Sequence, residues 1–137
     1  MRRHPATLAL VAWTFLVWTT RIANVWRDAG LDTGERWGRT LLALSFTILA
    51  IAVVVAAGRR LGGAAVVAVG ALAAWTVTVW VVRGSAILAA DHDPGFKVVH
   101  SVLAAVSIVL AVLAWRETRR EAARPPTTAR VPAGRRG

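Results

Sequence analysis

At 137 residues the chain has the length of one small domain, yet 56% hydrophobic residues and a mean hydropathy of +0.55 exclude a water-soluble globule. A formal charge of +10 would suit nucleic acid, but Lys97 is the single lysine among 17 basic residues and the arginines gather at the ends of apolar segments. That is how membrane topology is encoded, so we expect anionic lipid and no nucleic acid as the partner of this charge.

The first apolar segment spans about residues 6 to 26, close to the roughly 20 residues a helix needs to cross a bilayer. Met1-Arg2-Arg3 ahead of it also opens a signal peptide, but no small-x-small cleavage site follows and Thr19-Thr20-Arg21 leads into further apolar sequence, so the segment is expected to be retained. Arg27 to Arg39 then forms a connection in which Asp28, Asp32 and Glu35 accompany the arginines. A second span is expected at about 40 to 57, ending at Gly58-Arg59-Arg60, and a third at about 64 to 84. Asp91-His92-Asp93-Pro94-Gly95 reads as a turn before the fourth span, about 98 to 115, which continues as helix through Glu121. Pro125-Pro126 stops it, and residues 122–137 are expected to be a disordered basic tail.

Arg2-Arg3, Arg59-Arg60 and the arginine-rich tail mark the cytoplasmic side, placing both termini inside and the two acidic connections outside. The abundance of Arg, Ala, Val and Gly fits a GC-rich bacterial genome, and hence the bacterial cytoplasmic membrane. Trp26 and Trp37 fall at the outer boundary and Trp115 at the inner one, as interfacial aromatics do. The small residues Ala64, Ala68, Gly70 and Ala74 in the third segment, and Ala104, Ser107 and Ala111 in the fourth, would let helices approach closely.

Trp13-Thr14-x-x-Val17-Trp18-x-x-Arg21 recurs 62 residues later as Trp75-Thr76-x-x-Val79-Trp80-x-x-Arg83. The same offset aligns Leu10 with Leu72, Leu41 with Leu103, Ala43 with Ala105 and Ser45 with Ser107. The expected fold is therefore an all-α integral membrane protein. It is a four-helix bundle over residues 1–121, built from two parallel hairpin repeats (about 7–59 and 69–121) with both termini inside.

Arg21 and Arg83, the repeated pair, carry the charge inside the spans and form the candidate site. Either they snorkel to outer headgroups or they face inward. If inward, Trp18 and Trp80 one turn away would make cation–π contacts, and Asp28, Asp91 and Asp93 with Asn24 and Ser85 would supply partners. The two outcomes are an Arg–Asp network locking the outer helix ends, which three carboxylates suffice to neutralise, or an anion or headgroup site that uses paired guanidinium hydrogen bonds.

His92 and His100 with Asp91 and Asp93 are weaker candidates as a metal set, and Ser107 shares a helix face with His100. Haem is not expected, because bis-imidazole ligation needs two His at similar depth and only His100 lies near a span. No nucleophile–base arrangement, phosphate loop or metalloprotease motif is present, so no catalytic residue, metal or cofactor is assigned. Two functions from different classes follow. One is a non-enzymatic accessory or assembly subunit of a larger membrane complex. The other is a homo-oligomeric transporter or channel-like protein for an anionic solute or headgroup. A lipid-modifying enzyme at the outer surface, using Asp91, His92 and His100, carries least weight.

Overall fold

The computed structural model describes residues 4–59 and 62–124 as four helices: α1 (Pro5–Arg27), α2 (Thr33–Gly58), α3 (Gly62–Ala89) and α4 (Pro94–Ala122). Each is long and apolar enough to cross a membrane, so the protein is an all-helical, multi-pass membrane protein. Arg2, Arg3, Arg60 and the tail beyond Arg124 lie outside the described residues.

Two helices begin earlier than hydropathy alone locates them, for the same reason. Asp32 caps α2 by accepting from Glu35 N at 2.8 Å, so the helix starts at Thr33 and not near residue 40. Asp93 caps α4 by accepting from Gly95 N at 2.8 Å and Phe96 N at 3.3 Å, with Pro94 in the first turn, where its missing N–H is harmless. A capped amphipathic turn thus precedes the apolar window in both cases. α3 likewise runs past the expected boundary to Ala89, and α4 continues to Ala122.

The helices form a four-membered ring in which α1 packs on α2 and α4, and α3 packs on α2 and α4. Named contacts fix the directions. Between α1 and α4, Thr7 meets Glu117 and Trp13 meets Ser107; between α2 and α3, Ser45 meets Trp75; between α3 and α4, Gly70 meets Trp115 and Leu88 O accepts from Lys97 Nζ at 3.2 Å. Every neighbouring pair is therefore antiparallel. One end of the bundle, the loop end, holds the α1–α2 and α3–α4 connections. The other, the terminal end, holds His4, Arg59 and Arg124.

The core is a stack of aromatics bedded in small residues. Phe46 is fully buried, stacks on Trp18 at 4.0 Å and meets Trp75 at 6.1 Å, while Trp18 reaches Trp80 across the bundle at 6.4 Å. Towards the terminal end the core narrows to Leu10, Ala50, Val53, Val69, Leu72, Ala111 and Ala114, all almost without exposed surface. In lipid the apolar surface gains little from burial, so close contact between small side chains is what holds such helices together. The small residues that do this are partly different from those expected. Gly70 and Ala111 are at interfaces, whereas Ala64 and Ala74 are exposed, and Ala43, Ala50 and Ala114 fill the interior instead. Trp115 also joins the core packing: it lies half-buried on Gly70, because the missing Cβ leaves the ring a seat on α3.

The loop end is tied by Arg36, whose Nη2 donates to Asp28 O at 3.0 Å and whose guanidinium lies 5.5 Å over Trp26. Trp26 and Trp37 remain exposed and meet edge to face at 5.6 Å. The terminal end is tied by Glu117. The N-cap residue of α1, His4, makes no side-chain cap, and the open Thr7 N–H is taken by Glu117 Oε2 at 3.1 Å, which also accepts from Thr7 Oγ1 at 3.0 Å. A carboxylate from α4 thereby caps α1, where the helix dipole favours a negative charge. Glu117→Gln should lower the melting midpoint in mild detergent, at a cost of about 1–2 kcal/mol, with Thr7→Val adding little more in the same background. Additive losses in the double variant would mean that the two residues act independently.

Candidate functional site

Three helices supply the site. On α1, positions 13, 16, 17, 20, 21 and 24 recur at helical spacing and so share one face, which brings Trp13, Thr20, Arg21 and Asn24 into line. That face looks onto His100 and Leu103 of α4, with Trp80 and Arg83 of α3 behind. Between them is a cavity of about 360 Å³ at the loop-end half of the bundle. The hydrogen bond from Trp13 Nε1 to Ser107 Oγ, at 2.9 Å, joins α1 to α4 below it.

The repeated arginines both line this one cavity and both are half-buried. The Arg–Asp lock does not form. Asp28 accepts from Gly30 N at 3.0 Å, Asp93 caps α4, and Asp91 is exposed; none of the three lines the cavity. Short carboxylate side chains at turns find backbone N–H groups two or three residues ahead before they find a guanidinium on another helix. The expected Trp–Arg pairs are also absent among the described residues, where the guanidinium–ring contacts are Arg36 on Trp26 and Arg119 on Trp115. Trp18 is held against Phe46 instead. Ion pairs among the described residues join Arg39 to Glu35 and Arg124 to Glu121, so Arg21 and Arg83 face the cavity with no acidic partner.

No known family model, curated protein or solved structure matches this chain. The chemistry of the site therefore rests on the geometry alone.

His100 and His92 separate. His100 lines the cavity, and its Nδ1 lies 2.9 Å from Phe96 O. A carbonyl only accepts, so Nδ1 donates, and in the neutral ring Nε2 is left as an acceptor. His92 is exposed, with its ring 4.9 Å from Phe96. No three His, Asp or Glu side chains converge on a metal-sized space among the described residues. Ser85 is turned to its own helix, donating to Val82 O at 2.9 Å. Ser107 is a packing residue: it accepts the Trp13 indole N–H and donates to Leu103 O at 2.6 Å. Trp13 and Thr20 join the site without having been expected there, although Trp13 lies one turn before the repeat's Val17 and Thr20 one turn after it on the same face.

Proposed function

We propose that this is an anion-binding membrane protein whose ligand sits between Arg21 and Arg83 in the loop-end half of the bilayer. The observation that carries the reading is a cavity with two guanidinium-bearing walls and no carboxylate lining it. An uncompensated Arg inside a span costs roughly 2.5–3.5 kcal/mol on insertion scales, and two on one cavity add mutual repulsion. A bound phosphate or carboxylate relieves both through charge-assisted hydrogen bonds. An Arg–Asp lock that would brace an accessory subunit finds no support here, because the acids are engaged elsewhere. Passage straight through one bundle is disfavoured by the terminal-end core, where Leu10, Ala50, Leu72, Ala111 and Ala114 are closed together. We read a blind binding site.

We further read the bundle as two copies of one hairpin. Trp13 Nε1 donates to Ser107 Oγ and Trp75 Nε1 to Ser45 Oγ, both at 2.9 Å; Thr14 Oγ1 donates to Leu10 O and Thr76 Oγ1 to Leu72 O, both at 2.7 Å. Each pair of bonds is related by the 62-residue offset of the sequence repeat. We also read the terminal end, where the arginines gather, as the cytoplasmic end in a bacterial cell, with the basic tail on anionic headgroups and the cavity in the outer leaflet; the positive-inside rule supports this reading.

Two anionic probes test the binding, inorganic phosphate and phosphatidylglycerol, each titrated onto the full chain in neutral detergent. At least one should bind the wild type tenfold or more tightly than it binds Arg21→Gln or Arg83→Gln, with all three proteins melting alike. Equal binding to all three sinks the reading, as does a loss of stability in the variants with no anion dependence in the wild type.

A further inference from the structure

We propose that the occupant is a whole phospholipid, entering sideways from the surrounding leaflet with its phosphate between Arg21 and Arg83 and an acyl chain along the aliphatic walls. This rests on the anion-binding reading and goes beyond it, because a small inorganic anion would satisfy the arginines equally well.

Three features of the cavity separate the two ligands. First, its polar groups are confined to one level. Thr20, Arg21, Asn24 and Arg83 lie at the loop-end part, whereas Trp13, Leu16, Val17, Val79 and Leu103 continue towards the bundle centre. A site for a bare anion would hydrogen-bond it on all sides; here one side is hydrocarbon, which binds nothing ionic and suits a chain.

Second, the mouth faces lipid. Leu16 on α1 and Val99 on α4 both line the cavity, yet they keep 60% and 57% of their surface. Apolar residues that are at once wall and outer surface of a membrane helix mark an opening between α1 and α4 towards the acyl chains. Third, the floor is closed. Trp18 and Trp80 are buried there, and below Trp13 the α1–α4 seam is shut by its hydrogen bond to Ser107, so the ligand enters and leaves by the side. The volume of about 360 Å³ suits a headgroup and the first part of one chain, the remainder lying in the bilayer.

The ligand class is thus a lipid with net negative charge on a phosphate. A zwitterionic headgroup is the weaker fit, because it would bring a cationic ammonium group, primary or quaternary, to a cavity that already holds two guanidinium groups. His100 on the α4 wall offers Nε2 as an acceptor, which suits a headgroup hydroxyl and not the phosphate itself.

The test counts lipids bound to the full chain by native mass spectrometry from neutral detergent, after addition of phosphatidylglycerol, phosphatidylcholine or inorganic phosphate. The wild type should retain one phosphatidylglycerol with at least tenfold preference over phosphatidylcholine, and millimolar inorganic phosphate should not displace it. Leu16→Trp, a change at an exposed position that narrows the mouth and leaves both arginines intact, should reduce phosphatidylglycerol retention tenfold or more while the melting curve stays put. If inorganic phosphate binds in an Arg-dependent way and displaces the lipid, the anion site stands and the lateral lipid site is wrong. If Leu16→Trp retains the lipid as well as the wild type does, the side entrance is wrong. If neither lipid nor phosphate depends on the arginines, both readings fall together.

Discussion

Phe46→Ala should be among the most damaging single changes in the protein, lowering stability by about 3 kcal/mol, read as an early melting midpoint in detergent and early unfolding on titration with a denaturing detergent. Phe46 has no exposed surface and is the ring on which the aromatic stack is built, 4.0 Å from Trp18 and 6.1 Å from Trp75. In water part of such a loss is the transfer of apolar surface to solvent. Between helices already in lipid that part falls away, and what remains is the void and the dispersion attraction forfeited around it, which is why the lower end of the usual range applies. The same reasoning supplies the control. Leu41 is 61% exposed on the lipid-facing side of the same helix, so Leu41→Ala should leave the midpoint nearly unchanged. Equal effects at the two positions would mean that α2 does not present Phe46 to the interior.

Gly70→Ala should destabilise by about 1–3 kcal/mol, although alanine is the better helix former. A Cβ at position 70 would lie 2.8 Å from Trp115 Cζ3 and 3.3 Å from Cη2, closer than packed carbon atoms approach. The ring cannot simply swing clear, because it is packed against the core on one side and has the Arg119 guanidinium 5.5 Å over its face. Shortening the partner should relieve the clash: in a Trp115→Leu background, Gly70→Ala should cost less than it does in the wild type, and the coupling between the two changes measures the contact. Purely additive effects would show that α3 and α4 do not meet there. Helix propensity alone predicts the opposite sign for Gly70→Ala, so the direction of the change is itself decisive.

The four spans are legible in the sequence because their physics is one-dimensional: long uncharged stretches such as Leu41 to Ala57 have no soluble alternative. The repeat points to Arg21 and Arg83, and both do reach one cavity. Their surroundings differ from those expected because proximity in sequence says little about where a carboxylate aims. Asp28, Asp32 and Asp93 each sit next to a backbone N–H that only a short acceptor can take, and turn chemistry at Asp28-Ala29-Gly30 and Asp93-Pro94-Gly95 is the signal that carries this. Glu117 is hidden for a different reason. It lies two residues beyond Trp115, where the apolar window closes, and only the antiparallel alignment of α1 and α4 reveals Thr7 opposite it.

That contact between residues 110 apart also bears on how the protein is made. Thr7 leaves the ribosome well ahead of Glu117, so the nascent chain carries an uncapped first helix through the insertion of the next three. Until α4 enters the bilayer, α1 lacks both the acceptor for its N-terminal amide and the serine that receives the Trp13 indole. The ring thus closes in one late event. A ribosome stalled before Ser107 would leave an open three-helix arc with its arginine-lined cavity unwalled, a natural substrate for membrane quality-control proteases.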